Sequence, residues 1–282
     1  MIPRIDLLPH PLAERGFRGC AMVPFSLADR PNHFRVLRGL NLYVEHPEVP
    51  IGIMTHANVT PRVQDLVRAF PCGTAECADV IGTPCPYRAD RVRCPYHRYI
   101  RQRAVRMCDS GVFTRQGATL DYPGLFATYA HMEVDYGVMI DVLHNIAATL
   151  ESARRALDAY TPYEGRFTLV AVAQGKSLDD YVRCYQGLKA LGCTHIAIGG
   201  LLCKVAESAR YTRVQREAFL WQVIGTIRSL FPDDWLFALG VLHPRRIPRL
   251  VQYRVWADSK WYLFQYGTSP DRLGSSPAAP GC

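Results

Sequence analysis

The strongest constraint on how this chain can fold is an alternation that fills its second half, in which short apolar runs are separated by stretches of helical periodicity. The runs are Arg106–Cys108 leading into DSGVF, Tyr136–Asp141 (YGVMID), Phe167–Ala173 (FTLVAVA), Thr194–Ile198 (THIAI), Trp235–Leu239 (WLFAL) and Arg254–Ala257 (RVWA). Each is rich in β-branched or aromatic residues, the pattern of a strand buried on both faces. Between them, Leu150, Ala153, Leu157 and Tyr160 fall on one helical stripe, and Leu178, Tyr181, Tyr185 and Leu188 on another. Ser177 with Asp180 three residues on has the form of a capping box. Gly192 follows the last periodic residue, where a helix end favours it. A third helix is expected from Glu217 to Phe231, stopped at Pro232.

Strand followed by helix, repeated, implies parallel strands joined by right-handed crossovers. Two more strands fit near Cys20–Val23 and Ile51–Thr55, which brings the number to eight. Eight strands predict an α/β fold of the (β/α)8 TIM-barrel type spanning 1–267, with a doubly wound open sheet as the alternative. The 282 residues suit a single domain of that kind. The Cys-rich interval 70–100 reads as an insertion between the second and third strands. Residues 268–282, TSPDRLGSSPAAPGC, have little to bury and are expected to form a disordered tail.

The net charge of +8 favours an anionic partner such as nucleic acid. No apolar run reaches the ~18–20 residues that span a bilayer. The opening segment MIPRIDLLPHPLAERGF carries prolines and charges where a signal peptide needs an apolar stretch. A soluble, cytoplasmic protein without a membrane partner is therefore expected, and its ten cysteines are not expected to form a disulfide framework. Cys72, Cys77, Cys85, Cys94 and His97 have the spacing C-x4-C-x7-C-x8-C-x2-H. That cluster admits a structural Zn²⁺, unliganded thiols, or an iron–sulfur or redox site. Cys108, Cys184, Cys193 and Cys203 read as buried small hydrophobes.

In a barrel the active site lies at the C-terminal strand ends. Those ends carry Asp109 and Ser110, Asp141, Gln174 and Gly175, Gly199 and Gly200, Gly240 and Asp258. Carboxylates there can accept N–H groups or attack an electrophilic carbon, and glycines let a flat ligand approach the backbone. Taken singly, each Asp also reads as a helix cap and each Gly as a turn. His56 and His243 follow strand-like runs and are candidates to line the mouth.

In order and spacing, DSGVF at 109–113, YGVMID at 136–141, VAQG at 172–175, AIGGL at 197–201, ALGVLHP at 238–244 and VWADS at 255–259 resemble motifs of the tRNA-guanine transglycosylase superfamily. The resemblance covers roughly residues 105–266. It implies Asp258 as the nucleophile on the ribose C1′ and Asp109 as general acid/base. It further implies Ser110, Asp141, Gln174, Gly175, Gly199 and Gly200 as the base-binding set. The family's late zinc cluster has no counterpart after Asp258, and Val112 replaces the second glycine of DSGGF. The chain thus most resembles the short DNA-guanine transglycosylases of bacterial and phage 7-deazaguanine DNA modification. The implied reaction exchanges guanine in DNA for a 7-deazaguanine such as preQ0, with no cofactor for the chemistry and with a homodimer or accessory modification proteins as partners. Arg210, Arg213, Arg245 and Arg246 are the candidates for the nucleic-acid backbone.

Three alternatives stand beside this reading. The same exchange could act on tRNA, or the chain could be a non-catalytic nucleic-acid-binding subunit. An unrelated barrel lyase or aldolase would instead use a Schiff-base lysine, for which Lys176 and Lys260 follow strand ends.

Overall fold

The computed structural model describes residues 22–39, 50–69, 75, 77–78, 85–87, 89–202 and 212–259. Eight parallel strands close into a barrel in sequence order: β1 (Pro24–Leu27), β2 (Ile51–His56), β3 (Ala104–Asp109), β4 (Tyr136–Val138), β5 (Thr168–Ala173), β6 (His195–Ile198), β7 (Trp235–Ala238) and β8 (Val255–Ser259). Around them run α1 (Pro31–Gly39), α2 (Pro61–Ala69), α3 (Pro95–Arg103), α4 (Tyr122–His131), α5 (Ile146–Tyr160), α6 (Leu178–Ala190), α7 (Arg213–Leu230) and α8 (Ile247–Tyr253). The expected (β/α)8 barrel is the observed fold. Between β2 and β3, residues 70–74, 76, 79–84 and 88 of the Cys-rich interval lie outside the described residues, as does the 268–282 tail.

Local chemistry accounts for most element ends. The Ser177–Asp180 capping box forms at the start of α6, and Gly192 closes that helix with φ +92°. A second box, Thr212 with Gln215, starts α7 at Arg213, four residues before the sequence pattern placed it. The first strand also departs from expectation, lying at Pro24–Leu27 and not at Cys20–Val23. The apolar run there is continuous, so its composition does not fix the ends. Pairing does, with Phe25 opposite Gly52 on one side and opposite Asp258 on the other.

Two cores follow from the period-2 alternation of strand side chains. Outward residues pack with Phe126, Tyr129, Tyr185, Leu188 and Ile224 of the helices. Inward residues fill the barrel, among them Phe25, Met107, Tyr136, Val172, Phe237 and Trp256. Tyr136 stacks on Trp235 at 5.3 Å toward the N-terminal end, and His195 packs beside Trp235 at 5.2 Å. Burial lowers the His195 pKa to about 4, which keeps the ring neutral in this layer. With the barrel axis filled, the open positions are at the opposite rim. Two residues beyond inward Met54, Met107, Val172, Ala197 and Trp256 come His56, Asp109, Gln174, Gly199 and Asp258, which alternation also turns inward.

Gly52 shows how tightly the barrel is filled, since a Cβ there would lie 2.4 Å from Cγ of Phe25. Gly52→Ala is expected to destabilise the protein by about 1–3 kcal/mol, the usual cost of overpacking a filled core. Urea unfolding checks this as a lowered midpoint at constant m-value. An unchanged midpoint would contradict the packing described.

Candidate active site at the barrel mouth

Asp109 ends β3. Its carboxylate accepts the Gly111 N–H at 2.7 Å, a tight turn in which Gly111 has φ +86° and lies against the Asn58 amide. Asn58 braces the same loop by donating to the Gly117 carbonyl at 2.7 Å and accepting from Thr119 Oγ1 at 2.7 Å. Asp141 follows β4 and is held from both sides. Tyr122 Oη accepts the Ile140 N–H at 3.2 Å, and Thr149 Oγ1 accepts the Val142 N–H at 3.1 Å. Gln174 Nε2 donates to Asp141 Oδ2 at 2.5 Å. Asp141 is 2% exposed and Gln174 fully buried, so this bond forms in a poorly solvated setting.

Burial raises both carboxyl pKa values. Asp109 rises from its ordinary 3.8 to about 6 through desolvation, against the opposing Gly111 hydrogen bond. Asp141 rises to about 7 through desolvation and then through the charge of Asp109, with the Gln174 bond opposing. The two titrate as a coupled pair that holds one proton over part of the range near neutrality.

Around this pair lie buried polar atoms with no hydrogen-bond partner in the described structure: Ser110 Oγ, Asp141 Oδ1, Gln174 Oε1 and His144 Nε2. Buried polar groups in folded proteins are normally satisfied, and a bound water or ligand would supply partners for these four atoms. His144 was not singled out from sequence. It occupies the left-handed region at φ +57°, and its Nδ1 lies 2.6 Å from the Gly175 carbonyl. In that arrangement Nδ1 carries the proton of the neutral ring and Nε2 is left as an acceptor. A sequence clue existed, because His144 directly precedes Asn145, the N-cap of α5.

The glycines do different work from that expected. A Cβ on Gly199 would lie 2.5 Å from Gln174 Nε2, and one on Gly200 would lie 2.7 Å from Gln174 Oε1 and 3.4 Å from His144. They make room for Gln174 and His144. Gly175 is pressed against the first turn of α6, where a Cβ would lie 2.7 Å from the Tyr181 nitrogen.

Asp258 sits on the other side of the mouth, its Oδ1 accepting the Gly240 N–H at 2.6 Å. Near it runs a basic rim. Arg246, Arg245 and Arg213 all depress the His243 pKa after desolvation, the largest cause. Arg246 is already engaged, with Nη2 at 2.6 Å from Glu217 and Nη1 donating to the Val241 carbonyl at 2.9 Å. Arg213 and Arg245 are exposed, and Arg210 lies outside the described residues. Lys176 is exposed at the approach to α6, and Lys260 is outside the described residues. Cys77, Cys85 and Cys94 are free thiols, with Cys94 buried as the N-cap of α3; Cys72 is not described. His97 is held below its ordinary pKa by burial and by Arg101 and Arg91. Among the described residues no group of three or more His, Cys, Asp or Glu is arranged to hold a metal.

No family model matches this chain, and no curated protein matches it. Solved structures do. The chain is similar to an oxaloacetate acetylhydrolase in complex with its product oxalate, at 11% identity over 94% of this chain and 93% of that one, with TM-score 0.50. It is similar to the YdjI aldolase from Escherichia coli K12 at 10% identity over 90% and 82%, with TM-score 0.51. A 2,3-dimethylmalate lyase of the PEP mutase/isocitrate lyase superfamily aligns at 11% identity over 89% and 88%, with TM-score 0.44. At such identities the likeness is one of fold.

These findings overturn the transglycosylase expectation, and with it base exchange in DNA or tRNA. The barrels it is similar to at a TM-score of 0.50 or 0.51 are an acetylhydrolase and an aldolase. The physical reason lies in what the motifs encode. Acidic and glycine-bearing strand ends are what a (β/α)8 mouth needs for its turns, and here the glycines of AIGGL and VAQG fit around Gln174, His144 and Tyr181.

The raised carboxyls carry a stability consequence. A carboxyl whose folded pKa is raised stabilises the fold while protonated; that contribution is whole below the unfolded value of 3.8 and is lost as pH climbs through about 6 to 7. The protein should therefore melt lower at pH 8 than at pH 5 on account of this pair. Asp141→Asn keeps the shape without the charge and should raise the melting temperature at pH 8 by a few degrees, roughly 2–4 °C per kcal/mol for a domain of this size. A thermal melt across pH 5–8 checks it, and an unaltered pH slope in the variant would contradict it.

Proposed function

We propose that this chain is an enzyme of the lyase type that breaks a carbon–carbon bond in a small hydroxylated carboxylic acid, with the Asp109–Asp141 pair as its acid–base machinery. The observation that carries this reading is the pair itself: two coupled carboxyls, raised to about 6 and about 7, at the mouth of a barrel. Such values suit proton transfer near neutral pH, because a base must be strong enough to take a proton and must also let it go.

The surrounding polar atoms favour a hydroxylated substrate. Gln174 directs one N–H to Asp141 and leaves its Oε1 without a partner in the described structure, and His144, whose Nδ1 lies against the Gly175 carbonyl, leaves Nε2 likewise. Together with ionised Asp141 they form an edge rich in acceptors, which matches O–H donors and repels a second carboxylate. The anionic end of the substrate suits the opposite rim, where Arg213 and Arg245 are exposed. An acetylhydrolase with oxalate as product and an aldolase among the similar barrels support carbon–carbon bond cleavage as the reaction type. Lys176 is exposed, so the reading relies on carboxylates and not on a Schiff base.

In the proposed step a carboxylate of the pair takes the proton of the substrate hydroxyl. The carbon–oxygen bond becomes a carbonyl, the adjacent carbon–carbon bond breaks, and its electron pair passes into an enolate. The purified chain should cleave at least one member of a panel of 2-hydroxy and 3-hydroxy dicarboxylic acids, with a carbonyl product detected by hydrazone formation. Asp109→Asn and Asp141→Asn should each lower kcat by about 10²–10⁴-fold, the usual contribution of a general acid or base. Absence of turnover on the whole panel, or full activity in both variants, would defeat the reading.

A further inference from the structure

The segment that follows Asp109 is gripped by one side chain from the loop after the neighbouring strand. Asn58 lies two residues beyond the end of β2, and the Ala57 N–H donates to the Asp109 carbonyl at 2.9 Å, which brings Asn58 to the end of β3. Its Nδ2 donates to the Gly117 carbonyl at 2.7 Å and to Thr114 Oγ1 at 3.1 Å, and its Oδ1 accepts from Thr119 Oγ1 at 2.7 Å. A carbonyl only accepts, so Gly117 fixes which end of the amide is nitrogen. Thr114 Oγ1 passes its own proton to the Gly111 carbonyl at 2.7 Å. The amide also packs on Gly111 itself, where a Cβ would lie 2.8 Å from Nδ2. Gly111 is the residue whose N–H donates to the Asp109 carboxylate at 2.7 Å. Phe113, Arg115, Gln116 and Thr119 are exposed, so apolar burial does little to hold the segment, and the amide of Asn58 ties it to the barrel.

We propose that Asn58 is a positioning residue of this site, gripping the segment 111–119 so that the Gly111 N–H stays on the Asp109 carboxylate and holds that carboxylate in its working place. The part of this role that concerns turnover rests on the cleavage reading above. A carboxylate turns freely about its last side-chain bond unless a donor meets it. The donor here sits in a turn at φ +86°, a shape that only glycine adopts readily. Local bonds shape that turn, from the Thr114 N–H to the Gly111 carbonyl at 2.9 Å and from the Gly117 N–H to the Thr114 carbonyl at 3.0 Å, but they do not tie it to the barrel. Asn58 does, and a reacting group misplaced by about 1 Å can cost about 10²-fold in rate. The Gly111 N–H also favours the charged carboxylate against burial, so its loss would raise the Asp109 pKa above about 6. The titratable groups that face Asp109 are Asp141 after β4, His56 at the end of β2, Cys108 beside it on β3 and Tyr129 of α4, and all are retained when Asn58 is changed.

The test uses the full chain and has two arms. In the first, a carbon-13 NMR titration follows the Asp109 carboxyl, assigned by its disappearance in Asp109→Asn, and needs no substrate. Asn58→Ala should raise the midpoint of that carboxyl by about one pH unit, the worth of one hydrogen bond to a carboxylate. In the second, with the hydroxy acid that the wild type cleaves, Asn58→Ala should lower kcat about tenfold with KM changed less than about threefold. Built into Asp109→Asn, the same change should lower kcat less than about twofold, because a residue that acts through Asp109 has nothing left to position. Thr119→Val removes one of the bonds to the amide and should show part of both effects, and Thr119→Ser, which restores the hydroxyl, should reverse them. A midpoint unmoved or lowered in Asn58→Ala, or an equal loss of kcat with and without the Asp109 carboxyl, overturns the role and leaves the cleavage reading standing. A wild type inactive on every acid overturns the cleavage reading, and the NMR midpoint then decides the role by itself. Should Asn58→Ala fail to fold, the same midpoint in Thr119→Val as in Thr119→Ser overturns the role.

Discussion

Closure of eight parallel strands forces every second strand residue into a space that is already full. Phe25, Met107, Tyr136, Phe237 and Trp256 occupy that space, and Gly52 gives up its side chain to the Phe25 ring. The next inward positions, one step toward the C-terminal end, are thereby lifted to the rim. His56, Asp109, Gln174 and Asp258 are polar residues at such positions, and they reach the mouth because the layer beneath leaves them no room to sink.

The rim stores unfavourable electrostatics. Asp141 is buried and Asp109 half-buried at the ends of adjacent strands, and among the described residues no ion pair is formed with either. Their relief comes from hydrogen bonds, among them those from the Gly111 N–H and the Gln174 amide. Arginine is nearby on the opposite rim but is turned to other tasks, Arg246 being clamped to Glu217. A fold selected for stability alone would replace one carboxyl by an amide, so the retained pair is the kind of local conflict expected at a working site.

The correction of the expected activity follows from the same geometry. The motifs at 109–113, 172–175 and 197–201 were read as a base-binding pocket, but they are also the minimal grammar of turns at a barrel mouth. Gly175 fits against the first turn of α6, and Gly199 and Gly200 fit under the Gln174 amide. A glycine that serves its neighbour's side chain looks the same in sequence as one that serves a ligand.

The sequence by itself determined the periods and the punctuation. The apolar runs at 167–173 and 194–198, the Ser177 cap and Gly192 are local patterns whose physics acts within a few residues, so the barrel, the helix ends and the acidic strand ends were legible. Only the tertiary structure decided what those residues meet. The place of β1 depended on its register with β2 and β8, and the left-handed His144 depended on the Gly175 carbonyl one strand away. The coupling of Asp109 with Asp141 depended on burial. Desolvation and pairing across strands act between residues distant in the chain, and no local pattern carries that information.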